Sequence, residues 1–287
     1  MSNYRIITDS CCDFPKALQE SLDIEVINLS LLFRGEELTD PTDGQIKAMY
    51  DALRAGESAS TSAVNPEGWK RAIEPVLQAG KDALVMAFSS GLSTTYQSAM
   101  IAADELAEEY PQRTIRVVDT LSASLGQGMY VWHACKKRDE GLSLDELQAW
   151  CEEHKGNMSH WFTVDDLMFL KRGGRISAAT ALVGTMLNIK PVLHVDENGK
   201  LVSVSKSRGR KNALDALVKK LAEDGLPDEN DTIFLSHGDC LEDAEYVAAK
   251  CKELCGVKEV VIGYVGAVIG SHAGPGTVAL FYLGKNR

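Results

Sequence analysis

No stretch of the chain approaches the roughly 20 apolar residues that a membrane-spanning helix needs. The opening Met1-Ser2-Asn3-Tyr4-Arg5 runs into a short strand pattern without the apolar core of a secretion signal. The expectation is a cytoplasmic protein with no integral membrane segment. Positive charge is scarce as well: 30 Lys and Arg against 41 Asp and Glu leave a net charge of −11, whereas general nucleic-acid binding needs a basic surface to meet phosphates. Any anion site must then be local. Seven cysteines, an odd number, include the adjacent Cys11-Cys12 and the helix-spaced Cys251 and Cys255, but no C-x-x-C and no paired metal-ligand spacing. Free, reduced thiols follow. There is no internal repeat, P-loop, kinase signature or dedicated metal constellation. Phosphoryl transfer needs nucleotide and metal positioned together, so the chain is not expected to transfer phosphate alone, and neither metal nor cofactor is expected.

What is present is enough apolar residue, 45% of 287, to build two domains of ordinary size, each with its own core. The first part alternates short β-rich runs with helix patterns. Residues 4–8 lead through Thr8-Asp9-Ser10-Cys11-Cys12-Asp13-Phe14-Pro15 into a helix over 16–21. A single apolar run covers 24–33, a helix 44–54, and a hydroxyl cluster at 58–62 precedes Pro66 and a helix over 67–78. Residues 82–88 and 114–119 are further strands, each followed by a long helix. Such alternation argues for a parallel sheet with helical crossovers, whose ligands bind beyond the carboxyl ends of the strands.

The organising stretch is Ser89-Ser90-Gly91-Leu92-Ser93-Thr94-Thr95-Tyr96, a hydroxyl-rich turn between a strand and a helix start. Free backbone N–H groups and the positive end of the helix dipole would favour an anion there. Ser93 or Thr94 could instead be an ordinary N-cap, although one cap needs only one hydroxyl. A G-x-S-x-G nucleophile elbow is not formed, because Gly91 precedes Ser93 but Thr95 follows it. Clusters at 8–10, 61–62, 89–93 and 120–124 can line one edge and face one ligand, which makes Thr61, Ser62, Gly91 and Ser93 candidate site residues.

A boundary is expected in the loop 155–159, giving domains over 1–158 and 159–287. In the second part, Gly173-Gly174 close a short helix and Arg175 follows them, either as a clamp for a carboxylate or phosphate or as an exposed helix-end cation. Residues 177–187 are apolar around most of a helical circumference, so that segment is fully buried or forms one wall of an apolar cavity. Asn198-Gly199 between two strand patterns signals a hairpin. It runs into Lys206-Ser207-Arg208-Gly209-Arg210-Lys211, four cations in six residues, which form a docking surface or merely a solvated helix start. Two β-rich runs over 257–269 lead to His272, which Gly274-Pro275-Gly276 would fix at a strand end to orient a ligand oxygen.

Seven of these segments, in order, resemble the DegV family: TDSCCDFP at 8–15, TSAVNP at 61–66, SSGLSTTYQSA at 89–99, LKRGGRIS at 170–177, KPVL at 190–193, SRGRKNA at 207–213 and SHAGPG at 271–276. The resemblance covers almost the whole chain. It implies an α/β protein with an N-terminal parallel-sheet domain, a C-terminal mixed α/β domain, and a long-chain fatty acid buried between them. It also implies the role of the binding subunit of a bacterial fatty acid kinase, which holds the acyl chain while a separate ATP-binding kinase subunit phosphorylates the carboxylate. Matched by position, Thr61 and Ser93 would hold the carboxylate, with His272 beside them and Arg175 at the mouth. Lys206, Arg208 and Arg210 fall in the segment resembling the kinase-docking patch. Thr120 where Ser is common, Ser271 and Ala273 where Thr is frequent, and Cys11-Cys12 depart from the family pattern without removing a proposed ligand. Two other readings remain: a hydrolase or phosphotransferase acting on a small carboxylic acid through Ser93 and His272, which needs an orienting carboxylate behind the base, and a regulatory protein whose fatty acid never exchanges.

Overall fold

The computed structural model describes residues 3–177 and 188–287. Its first sheet is parallel throughout, in the order β2-β1-β6-β7, formed by β1 (Tyr4–Asp9), β2 (Glu25–Ile27), β6 (Asp82–Ala87) and β7 (Ile115–Asp119). Side chains alternate between its faces. Ile7, Ala83, Val85 and Ala87 pack with α3 (Pro66–Gln78) and α4 (Thr95–Glu109), while Ile6, Leu84, Met86 and Val118 pack with α5 (Leu125–Asp139) and α6 (Leu144–His154). A sheet covered on both faces has no polar stripe, which is why residues 83–88 read as one apolar run.

The second sheet has the order β10-β9-β8-β13-β11-β12. It comprises β8 (Met158–Thr163), β9 (Ile189–Val195), β10 (Leu201–Arg208), β11 (Thr232–His237), β12 (Glu259–Tyr264) and β13 (Val278–Leu283). Only β11 and β12 pair in parallel, so the sheet is mixed. One face carries α8 (Arg210–Asp224) and α9 (Leu241–Cys255). The other face, with Phe162, Leu193, Phe234 and Phe281, joins the core built on α5. Helix α5 thus lies between two sheets and is buried from Leu125 to Val131 without a break. Two glycines allow that approach: a Cβ on Gly128 would sit 2.6 Å from the Cys12 carbonyl, and one on Gly126 would overlap the His160 ring.

Two expectations change. The apolar run over 24–33 is two strands, because the chain leaves β2 at Asn28 and enters β3 (Ser30–Phe33), which pairs antiparallel with β4 (Glu36–Leu38) and β5 (Ser60–Ser62) in a small separate sheet. The second β-rich run before His272 is helical: α10 (Ala267–Ala273) follows β12 and packs on α2 (Asp43–Arg54), α7 (Met168–Arg172) and β5. Short apolar runs look alike as buried strand and buried helix. The apolar wall expected over 177–187 lies, apart from Ser177, outside the described residues.

All seven cysteines are free thiols, five of them buried. Among the described residues no helix is long and apolar enough to cross a membrane.

Candidate ligand-binding site

A cavity of about 430 Å³ lies where the turn before α4, the small sheet, α10 and the inner face of the second sheet meet. Its body is apolar, with Phe88, Leu92, Phe162, Leu170, Ile269 and Phe281 in its wall. Polar side chains gather at Thr61, Ser93, Arg175 and His272. Volume and lining are those of a small-molecule site, apolar with a few convergent polar groups.

Three elements form the polar end. Strand β5 pairs Thr61 with buried Leu31 and so turns its side chain inward, where Oγ1 stands 2.8 Å from Nε2 of His272 on α10. The imidazole packs so closely on the turn after α7 that a Cβ on Gly173 would overlap its Nδ1. Burial, aided by the charge of Arg175, pushes the His272 pKa down to about 4, so at neutral pH the ring is uncharged. Arg175 is partly buried beside it and donates to two backbone carbonyls, from Nε to Leu92 O at 3.2 Å and from Nη1 to Gly173 O. No carboxylate among the described residues pairs with it. A half-desolvated cation without an anion is unfavourable by itself and is relieved by an anionic ligand.

The turn before α4 contributes differently from the sequence expectation. Its backbone N–H groups from Phe88 to Ser93 are already engaged: Phe88 donates to Asp9, Ser89 to Ser122 O, Ser90 to Asp119, Gly91 to Ser89 Oγ, and Leu92 and Ser93 to Ser89 O. Asp9, fully buried between Phe88 N and Cys11 N, has its pKa raised by that burial to about 6. What the turn offers the cavity is side-chain hydroxyls, Ser90, Ser93 and Thr94. Ser93 Oγ lies 2.9 Å from Thr95 Oγ1 and accepts from Thr95 N, so it also steadies the start of α4.

Several candidate residues stand elsewhere. Ser62 neighbours Thr61 on a strand, so its side chain takes the opposite face; it is exposed and borders a different surface depression. Gly91 is not in the cavity wall; it lets the β9–β10 turn approach, since a Cβ there would meet Asn198 O at 2.6 Å and Gly199 O at 2.7 Å. Thr8 and Thr120 are buried and donate to Met86 O and Ala87 O, while Ser10 accepts from Leu29 N and Ser122 donates to Thr120 O. Four clusters were expected to converge; three of them supply hydroxyls to the wall, the one at 120–124 through Ser124 alone, and the cluster at 8–10 supplies none.

In the basic segment Lys206 and Arg208 are exposed. Arg210 is not: its side chain is 21% exposed, bonded to Asp243 at 2.8 Å and facing Asp165 at 3.5 Å, which ties α8 to α9 and to the loop after β8. Ser93 and His272 do not form a nucleophile–base pair, because Nε2 faces Thr61 and, among the described residues, no carboxylate bonds the ring. Sequence reasoning missed the inner faces of β8 and β13 as cavity wall: Phe162, Ala279, Phe281 and the buried His160. Period-2 parity would have placed them on one face, but only given which strands pair.

Comparison with known proteins agrees over the full length. The DegV family model matches residues 3–285. A DegV domain-containing protein of Clostridium perfringens is 43% identical over 289 residues, covering 100% of this chain and 99% of its own. Among solved structures, a fatty-acid-binding DegV family protein from Thermus thermophilus is 32% identical, covers 98% of this chain and 99% of its own, and has a TM-score of 0.86. DegV of Bacillus subtilis, a fatty acid binding protein, is 28% identical with a TM-score of 0.83, covering 99% and 100%. The α/β architecture, with its parallel and mixed sheets, is theirs, and the chain belongs to the DegV family.

Proposed function

We propose that the chain binds one long-chain fatty acid in this cavity, with the carboxylate at Thr61, Ser93, His272 and Arg175, and presents it in the cytoplasm to a separate ATP-binding kinase subunit that phosphorylates it to the acyl phosphate. The observation that carries the lipid half is Arg175, a partly buried cation whose hydrogen-bond partners among the described residues are backbone carbonyls alone, at the polar end of an otherwise apolar cavity. A carboxylate there accepts from the guanidinium and the hydroxyls, charge-assisted bonds of the stronger kind. Each methylene buried contributes about 0.8 kcal/mol, so the apolar wall supplies most of the affinity and the polar end the orientation. The fatty-acid binding of the Thermus thermophilus and Bacillus subtilis proteins supports the ligand class. The kinase half rests on the family resemblance and on the exposed Lys206 and Arg208. We divide the chain after residue 158, since the strands of the parallel sheet precede that point and those of the mixed sheet follow it, but for Met158, the first residue of β8.

The test is mass spectrometry of a denaturing organic extract of purified, folded protein. About one fatty acid per chain is expected, and added fatty acid should raise the Tm of delipidated protein, because a ligand bound only by the native state stabilises it. Neither result appearing would overturn the lipid reading. Acyl phosphate formed from this chain and ATP with no second protein would overturn the carrier role.

A further inference from the structure

The hydroxyl-rich turn before α4 divides into side chains that the fold uses and side chains that it does not. Ser89 Oγ donates to Gly199 O, and Ser93 Oγ and Thr95 Oγ1 bond each other. Ser90 and Thr94 line the same cavity, as does Gln97 on the first turn of α4, yet among the described residues no hydrogen bond engages any of their side chains. Thr94 stands at the N-cap position of α4 without making a side-chain cap bond. Gln97 follows Ser93 by four residues and Thr94 by three, spacings that gather side chains on one helix face.

Burial gives this group a direction. Thr61, Ser93, Arg175 and His272 are partly buried, whereas Thr94 and Gln97 are exposed, so these two stand where the polar end opens to solvent. Arg175 reaches the same turn: its Nε bonds Leu92 O, two residues before Thr94, its Nη1 bonds Gly173 O, and its Nη2 has no partner among the described residues. A carboxylate held by Thr61, Ser93, His272 and Arg175 leaves Ser90, Thr94 and Gln97 unused.

The open side is also where a separate kinase must deliver its phosphoryl group. One carboxylate oxygen attacks the γ-phosphorus of ATP, the bond from that phosphorus to the β,γ-bridging oxygen breaks, and ADP leaves with the electron pair. The acyl phosphate keeps a neutral carbonyl at the former carboxylate and gains a phosphoryl group with about two negative charges and three strong acceptor oxygens. The charge has moved outward, and donors must follow it.

We propose that Ser90, Thr94, Gln97 and the free Nη2 of Arg175 form a subsite for the phosphoryl group of the acyl phosphate, so that the chain retains its phosphorylated product as well as its fatty acid. The inference rests on the carrier reading and deepens it. The hydroxyls and the Gln97 amide donate to phosphoryl oxygens, and the guanidinium adds the charge-assisted bond for which arginine suits phosphate.

The experiment is calorimetric titration of delipidated protein with palmitic acid and with the methylene analogue of palmitoyl phosphate, a β-ketophosphonate in which CH₂ replaces the bridging oxygen and blocks hydrolysis. The wild type is expected to bind the analogue at least as tightly as palmitic acid. In the double variant Thr94→Val/Gln97→Ala, affinity for the analogue should fall tenfold or more and affinity for palmitic acid less than threefold. Both side chains are exposed and neither makes a bond within the fold, so the variant should fold, and its palmitic acid binding reports that directly. Weaker binding of the analogue than of palmitic acid by the wild type overturns the subsite and leaves the fatty-acid reading standing. So does a variant that loses less than tenfold for the analogue, or one that loses equally for both ligands. If palmitic acid itself does not bind the wild type, the fatty-acid reading fails and the subsite fails with it.

Discussion

Ser89 Oγ donates a 2.8 Å hydrogen bond to the carbonyl of Gly199, 110 residues away, and so fastens the β9–β10 turn to the turn that opens α4. The same contact explains Gly91, whose missing side chain leaves space for Asn198 O and Gly199 O. Gly91→Ala should destabilise the protein by about 1–3 kcal/mol, as a methyl forced against rigid backbone does. Gly44→Ala is the control: a Cβ there has nothing nearer than Thr42 Oγ1 at 3.9 Å, and its effect should stay within about 0.5 kcal/mol. Urea midpoints compare the two. Equal effects would mean the turn contact holds nothing.

The polar end makes a sharper demand. Thr61→Val keeps the shape and β-branching of the residue but removes the hydroxyl that meets His272, and Ser93→Ala removes the second hydroxyl. Each should weaken fatty-acid binding by about 1.5–3 kcal/mol, roughly ten- to hundredfold in Kd, for a lost bond to a charged group. Ser62→Ala, on the opposite face of β5, should change the Kd little. Three similar losses would reduce all of these hydroxyls to structural caps.

These pairs also mark how far the sequence could be read. The β–α alternation of the first part was legible because both faces of its sheet are buried and α2, α3 and α6 open on side-chain caps, such as Asn65 accepting from Gly68 N before Pro66. Hydroxyl clusters were visible as composition. Which hydroxyls face the cavity was not, since that depends on strand parity at Thr61 and Ser62 and on internal acceptors such as Met86 O for Thr8. His272 was singled out by its glycine-rich neighbours, yet the seven-residue helix that carries it looks like a strand until Tyr50 and the small sheet close around it. The partners of Arg210 come from 45 residues before and 33 residues after it in the chain, beyond any local pattern.

The uncharged state of His272 can be followed by pH. Its pKa is pushed down to about 4 from 6.5, first by burial and then by Arg175, so the unfolded chain binds a proton that the folded one refuses between those values. For a base lowered in the native state, the contribution is fully present above pH 6.5 and is lost as pH falls through 4. His272→Gln removes this loss, so its stability relative to wild type should improve from pH 7 to pH 4.5. NMR of the ring carbons in ligand-free protein should show no titration near 6.5. A midpoint there would mean that the site is wetter and less charged than its geometry implies.

The exposed cations separate a carrier from a self-sufficient enzyme. Lys206 and Arg208 project from β10 on a chain of net charge −11, whereas Arg210 is held by Asp243 and Asp165. If Lys206 and Arg208 meet an acidic kinase subunit, the association is steered by charge and weakens with salt. Reversing both to Glu should abolish partner-dependent phosphorylation of the bound fatty acid while leaving fatty-acid affinity unchanged within twofold, since neither residue lines the cavity. Arg210→Glu should behave differently. It places a third carboxylate beside Asp165 and Asp243, so it should lower Tm whether or not a partner is present, because breaking a partly buried ion pair leaves its other members uncompensated. Intact phosphorylation with lost lipid binding in the Lys206/Arg208 variant would place these cations in the pocket. Intact phosphorylation with intact binding would move the docking surface to another face of the protein.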